Sequence, residues 1–418
     1  MSPSSVVRCP GWVVHPLKPA LEEDPSESND SNSSLQLTTD NRQLTPGISK
    51  GTVDNPMMIG IDFQGFFTAR EPMDQRVDIK NLNREELKGL IRELGKEDYR
   101  AQQIIQWVYG HRVDSFQEMT NLSTKLRDFL QEKSRMDGLA LHDVETSSDG
   151  SQKFLFVLED GEAIESVLIP DGGRLTLCVS TQAGCAFGCR FCLTGQRRLS
   201  RDLSTSEILG QVLTVQNLKK PKGLTNIVLM GMGEPLANFG NTVKALEIMG
   251  YSDGLRFSRR RITLSTVGLV PGIDRLGRSP RLCRLAISLN ATDNATRNSL
   301  MPINKKYPLK DLLEACRRFP LAPRERITFE YVLIRGVNDS DEDAKRLPRL
   351  LRGIKAKVNL IPYNESPLLP FERPDEESIL AFQQTLLQKN MTAIIRKSRG
   401  TDIGAACGQL RGGGRALD

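Results

Sequence analysis

Three cysteines, Cys185, Cys189 and Cys192, stand within eight residues in the spacing C-x-x-x-C-x-x-C. Thiolates are soft ligands, and three leaving one loop can converge on a single iron–sulfur cube, with Gly184 and Gly188 letting the backbone fold tightly around it. Three ligands for four irons leave one iron open to another molecule. Structural zinc competes for the same thiols, but it ordinarily takes four protein ligands, and neither a histidine nor a second close cysteine pair follows. Cys178, seven residues upstream of Cys185, lies inside the strand-like TLC rather than in that loop. Cys9, Cys283, Cys316 and Cys407 complete the eight cysteines. The three histidines, His15, His111 and His142, all precede Cys178, so no Ser-His-Asp site, His-rich metal site or H-E-x-x-H zinc site fits the later chain. In GMGEP, Gly231 and Gly233 let backbone approach a ligand, and Glu234 offers an acceptor to an ammonium group. Alone, that string is equally a glycine-rich turn.

The elements that must hold these residues alternate from Arg174 onward. Strand-like runs occupy 175–181, 226–233, 261–266, 282–290, 327–334 and 356–363, with helical patterns around 205–218, 241–250, 268–277, 308–318, 340–352 and 375–389. Ser204 with Glu207 forms a capping box ahead of Ile208 and Leu209. Six strands alternating with helices predict parallel right-handed units, too few for an eight-stranded barrel. The fold class expected is therefore α/β, a partial (β/α)6 TIM-like barrel over 174–390 with its ligands at the strands' carboxyl ends. MTAIIRK (391–397) is a candidate further strand opening the segment 391–418, whose glycine-rich GTDIGAACGQL reads as flexible. Ahead of the barrel, 152–158 and 163–169 form a hairpin within a linker, 138–173. A small helical domain is expected over 78–135, with Leu87, Ile91 and Leu94 on one helical face, Gly95 ending that helix and Ser123 capping another.

Residues 1–60 carry four Lys/Arg against seven Asp/Glu, in a chain of 418 residues with net charge +6. Rich in Ser, Asn, Asp, Thr and Pro without periodicity, they read as a disordered polar leader. Neither a signal-peptide h-region nor an apolar run of about 18 residues is present, which points to a reducing, cytoplasmic setting and no membrane partner. The excess of basic residues falls in the remainder, at Lys219, Lys220 and Lys222, at Arg256 with Arg259–Arg261, and at Arg396, Lys397 and Arg399. Such clusters attract phosphates, although a solvated basic face has the same composition.

Three long strings in order, TLCVSTQAGCAFGCRFCLTG, NIVLMGMGEP and GTDIGAACGQL, resemble the radical S-adenosylmethionine (SAM) superfamily and, within it, the enzymes that methylate adenine C2 in RNA. The resemblance runs from about 78 to 412. It implies a [4Fe-4S] centre on Cys185, Cys189 and Cys192 whose open iron takes the amino and carboxylate groups of SAM. Gly233 and Glu234 match the pair that meets the methionine amino group, and Ser265, Ser288, Leu289, Asn290 and Asn364 match cofactor-contacting positions. The family commonly has histidine at position 290; asparagine keeps a donor and an acceptor but loses a titratable ring.

Adenine C2 is not nucleophilic enough to attack a sulfonium methyl. The resemblance implies that a first SAM methylates Cys407, and that a radical from a second activates this methyl for addition to C2. Cys178 then resolves the protein–RNA adduct as a transient disulfide with Cys407, while Glu165 matches the carboxylate that accepts the C2 proton. The implied substrates are an adenine of the peptidyl transferase centre in 23S rRNA and adenine 37 of the tRNA anticodon loop. The implied electron donor is flavodoxin or ferredoxin, and the chain is expected to be monomeric. Related adenine-C8 methyltransferases of the antibiotic-resistance type share the cluster and both mechanistic cysteines, but the whole string lies nearer the C2 enzymes. Lys96, Arg100, Trp107, Tyr109 and Arg112 make the helical domain a candidate RNA-recognition module; the two aromatics are equally readable as its core. Cys283 and Cys316 read as core residues.

Overall fold

The computed structural model describes residues 76–280 and 282–412. The leader predicted over 1–60, with Cys9 and His15, lies outside the described residues. The described chain begins with a helical unit of α1 (Arg84–Glu93), α2 (Tyr99–Ile105) and α3 (Thr124–Lys133). Asn83 caps α1 in a reciprocal box with Glu86, Gly95 follows in the left-handed region (φ +63°), and the Ser123 hydroxyl accepts from Leu126 N. Leu87, Ile91, Ala101, Ile104, Phe116, Met119, Leu126 and Leu130 are buried together as its core. Tyr109 is buried with them, and half-buried Trp107 donates to Asn121 Oδ1 (2.6 Å) against the His111 ring. Tyr109 therefore belongs to the core and has no face free for a base.

A ten-stranded sheet follows in strict chain order. Strands β1 (Ala140–Thr146), β2 (Gln152–Val157) and β3 (Ala163–Asp171) run antiparallel into β4 (Arg174–Cys178), so the predicted hairpin is built into the barrel's own sheet. From β4 every neighbour is parallel: β5 (Asn226–Leu229), β6 (Ile262–Thr266), β7 (Arg284–Ser288), β8 (Ile327–Leu333), β9 (Ala356–Pro362) and β10 (Ala393–Ile395). The six strands expected from the sequence are all present, and the candidate 391–397 supplies a seventh. Edge strands β1 and β10 do not pair, so the barrel is open.

Helices α4 (Leu193–Gln196), α5 (Thr205–Leu218), α6 (Phe239–Met249), α7 (Val270–Arg278), α8 (Asn294–Leu300), α9 (Leu309–Arg318), α10 (Asp341–Leu350) and α11 (Glu376–Gln388) fill the connections. Alternation decides what each strand face does. Leu264, Leu285, Ile287, Phe329, Tyr331, Leu333, Val358 and Leu360 are buried in one core with Ile208, Leu246, Ile273, Leu312, Leu347 and Phe382 of the helices. Burying a large apolar side chain contributes about 1.5–3 kcal/mol. The opposite face carries Cys178, Ser265, Ser288, Glu330 and Asn359 at intervening positions, so the inside of the open barrel is polar.

Candidate active site and iron–sulfur centre

The cysteine loop leaves the carboxyl end of β4. Its base is closed by Gln182–Ala183, which pairs antiparallel with Arg201–Asp202, and by Thr181 N donating to Met232 O (2.8 Å). Inside this closure Gly184 holds φ +81°, and a Cβ there would stand 2.3 Å from Arg198 O, so the crossing admits only glycine. Cys192 N donates to Cys189 O (3.1 Å), the Gln196 side chain donates to the same carbonyl (3.1 Å), and Arg190 N donates to Leu300 O (2.9 Å) at the end of α8. Loop, short helix and neighbouring barrel unit are thereby fixed together.

The three thiols lie close enough to feel one another's charge. Burial pushes Cys185 up to about 11 and raises Cys189 well above the usual thiol range, the neighbouring cysteines adding to both. Among the described residues, no group of three His, Cys, Asp or Glu side chains is gathered as tightly as one metal ion requires.

Glu234 lies beside them, 1% exposed. Its carboxylate accepts from Val267 N (2.7 Å) and Leu236 N (3.0 Å), yet burial pushes its pKa up to about 7, and no cation among the described residues pairs with it. A buried carboxylate lacking a counter-charge is stabilised by a proton or by a cationic partner. Gly233 takes φ +94° with its Cα against Gln182, where a Cβ would meet Gln182 Cβ at 2.5 Å, and Glu234 N donates to Gln182 Oε1 (2.8 Å). Here the glycine serves close approach of one strand end to another.

Ser265 and Ser288 end β6 and β7 half-buried, and their hydroxyls make no hydrogen bond among the described residues. Leu289 is buried, with its N–H on Glu330 O (3.0 Å). Asn290 occupies the left-handed region (φ +57°), which asparagine tolerates better than most side chains. Its Oδ1 accepts from Val332 N (2.9 Å), its amide donates to Met301 Sδ (3.3 Å), and its carbonyl accepts from Asn338 (2.8 Å). The amide expected to meet a cofactor is engaged in joining β7 to β8. Asn364 donates to Cys407 O (3.1 Å), so it touches the Cys407 loop directly.

Cys178 ends β4, nearly buried, with its thiol pushed up to about 12 by burial and then by Cys407 across from it. Cys407 is exposed, but lies in the barrel mouth ringed by protein, which raises its pKa; Glu330 and Cys192 add to this and Arg396 opposes it. The tail expected to be flexible is held on both sides of Cys407. Lys153 donates to Ile403 O (2.7 Å), Leu193 N to Gly408 O (2.7 Å), Thr194 to Leu410 O (2.5 Å), and Arg197 to Arg411 O and Gly412 O (2.9 and 2.8 Å). Glu165, 4% exposed on β3, accepts from Arg411 N (2.7 Å) and Gly412 N (2.9 Å) and lies 3.5 Å from Lys153. The cysteine loop and the Cys407 segment are one hydrogen-bonded unit.

Residues 179–347 match the family described as the radical SAM superfamily, and 77–136 match the ribosomal RNA large subunit methyltransferase N-terminal domain. The dual-specificity RNA methyltransferase RlmN of Geobacter sulfurreducens is 54% identical over 81% of this chain and 93% of its own, and that of Pelobacter propionicus 51% over 81% and 97%. A crystal structure of a radical SAM methyltransferase from Sphaerobacter thermophilus superposes with TM-score 0.76 at 44% identity, covering 80% of this chain and 99% of that one. The chain belongs to the RlmN family.

As a radical SAM member of the RlmN family it uses an iron–sulfur cluster and SAM, and the residues present fit both. Three thiols leave one closed loop, Glu234 pairs with no cation among the described residues, and the hydroxyls of Ser265 and Ser288 stand open at the ends of neighbouring strands. Sequence reasoning missed several contributors. Gln182 orients Gly233–Glu234, and Asn359 donates to the buried Glu330 carboxylate (3.0 Å) near Cys407. Tyr363, packed with Cys189, buries a hydroxyl that has no partner among the described residues. No motif marks them; only the inward phase of β8 and β9 singled out Glu330 and Asn359. No helix among the described residues is long and apolar enough to cross a membrane.

Proposed function

We infer that this chain methylates C2 of adenine in both ribosomal and transfer RNA through radical SAM chemistry. The observation that supports the reading is that Cys178 lies within electrostatic reach of Cys407, and Cys407 within reach of Cys192 in the three-cysteine loop. Cys185, Cys189 and Cys192 would hold a [4Fe-4S] cluster, which with SAM would supply a methyl group and, on one-electron reduction, a hydrogen-abstracting organic radical. Glu234 pairs with the SAM amino group, and the open hydroxyls of Ser265 and Ser288 complete its binding with Gly233, Leu289, Asn290 and Asn364 around them.

Cys407 loses its thiol proton and carries the methyl as a thioether. Once one hydrogen of this methyl has gone to the organic radical and the carbon has joined C2, Glu165 takes the C2 proton. The adduct gives its unpaired electron back to the centre that supplied the radical's. The Cys178 thiolate attacks the Cys407 sulfur: an S–S bond forms, the C–S bond breaks, and its electron pair stays on the methylene carbon, which takes a proton to become methyl. An external dithiol returns the disulfide to two thiols. Glu165 also holds Arg411 N and Gly412 N, so the protonation of this carboxylate weakens its grip on the carrier segment.

The substrates are the adenine in the peptidyl transferase centre of 23S rRNA and adenine 37 of tRNA, each presented unstacked because a paired base cannot reach the barrel mouth. Flavodoxin or ferredoxin delivers the single electron, the protein acts as a monomer, and the helical unit 78–135 with the basic clusters holds the RNA. Anaerobic turnover on unmodified RNA followed by mass mapping tests the reading: 2-methyladenosine in both RNAs is expected, and 8-methyladenosine or no product contradicts it.

A further inference from the structure

Arg297 is the largest side chain wholly buried among the described residues. From α8 its Nε donates to Leu289 O (3.0 Å), Nη2 to Val267 O (2.7 Å) and Ser288 O (3.2 Å), and Nη1 to Asn304 Oδ1 (3.0 Å). All four acceptors are neutral. A buried cation paired with no carboxylate costs on the order of several kcal/mol, unless an anion stands near it. The cysteine loop offers one. Leu300, Met301 and Ile303, which follow within two turns of Arg297, pack against Cys189 in one apolar cluster, and Leu300 O accepts from Arg190 N (2.9 Å). The charge of Cys189 acts on the guanidinium, which stays protonated at neutral pH although burial lowers it to about 10.

We propose that Arg297 is a positioning residue that also acts electrostatically. Its contacts fix the ends of β6 and β7, and its charge offsets the anionic iron–sulfur centre held through Cys189, raising that centre's reduction potential. The proposal rests on the assignment of Cys185, Cys189 and Cys192 as cluster ligands. Each electron taken up by the centre adds a negative charge, and a fixed cation nearby favours that state. A strand-end carbonyl needs only a neutral donor, so holding the loops does not by itself demand a guanidinium.

The test uses the full chain with its cluster reconstituted anaerobically, without SAM, and reads the midpoint potential by electron paramagnetic resonance during a redox titration. Asn304→Asp places a carboxylate on Nη1, cancelling the charge while keeping the Arg297 side chain, at the loss of the amide's donations to Asn294 and Asn298. Its midpoint is expected to fall by tens of millivolts, about 59 mV for each tenfold loss in the one-electron equilibrium. Arg297→Gln should fall likewise, and Arg297→Lys should keep most of the potential while binding SAM more weakly in calorimetry. An unchanged midpoint in Asn304→Asp, or equal shifts in Arg297→Lys and Arg297→Gln, overturns the proposal. If Arg297→Gln does not fold, the comparison of Asn304→Asp with the unaltered chain decides. Failure of the unaltered chain to assemble any cluster would instead defeat the ligand assignment itself.

Discussion

Glu234 concentrates the site's electrostatics in one side chain. Its folded pKa, raised from 4.5 to about 7, means that the folded state holds a proton the unfolded state has released. The stability it contributes is complete below about pH 4.5 and is lost as pH rises towards 7. In the metal-free chain, chemical denaturation of wild type and Glu234→Gln should diverge over this interval. The wild type should lose up to ~3 kcal/mol relative to the variant, since one pKa unit corresponds to about 1.4 kcal/mol. A difference that does not change with pH would contradict the assignment. At this scale the cysteine triplet and Glu234 stand out by residue type and spacing, and the fold brings Glu234 within electrostatic reach of Cys185 and Cys189. Asn290 was not legible, because its amide is used to satisfy Val332 N, a partner 42 positions away. Nothing in the local string shows that pairing.

At the scale of elements, the β/α units were readable because their apolar periodicity is strong: α5 was expected over 205–218 and forms over Thr205–Leu218. Strand β1 was missed for the converse reason, since Ala140–Thr146 is almost entirely exposed and has no apolar face to betray it. The tail 401–412 was read as flexible from its glycines, yet Lys153, Glu165, Thr194 and Arg197 hold it from elements some two hundred or more residues earlier. This tether makes a specific prediction. Arg197→Ala removes two tail contacts and an ion pair to Glu162 (2.7 Å), and should increase amide hydrogen exchange over 405–412 while strands β5–β9 stay protected. It should also slow oxidation of Cys407 onto Cys178, read by thiol mass mapping, because a looser tail keeps Cys407 less of the time near Cys178. Unaltered exchange and oxidation would mean that Arg197 is not part of the tether.

Across the whole molecule, one sheet face is packed on helices and the other surrounds the chemistry, so stability and function are separable. Phe329 is wholly buried on the helix side of β8, next to inward-facing Glu330. Phe329→Ala should cost about 3–5 kcal/mol in denaturant unfolding, as expected for an emptied aromatic site. Glu330→Gln should change stability much less, and its effect should appear in the reactivity of Cys407, whose charge environment it shares. The helical unit is joined to this barrel by Arg84 to Asp253 (2.7 Å), Lys244 to Glu86 (2.7 Å) and Asn81 to Ser206 N (2.8 Å), which ties the expected RNA-holding unit to the barrel through α5, α6 and the loop after α6. The proposed function turns on the order of events at two thiols. The central measurement is therefore mass analysis of anaerobic reactions with unmodified RNA. Cys178→Ala should accumulate a covalent protein–RNA adduct through Cys407, and Cys407→Ala should yield neither adduct nor product. Methylation of RNA by Cys407→Ala would contradict the account outright.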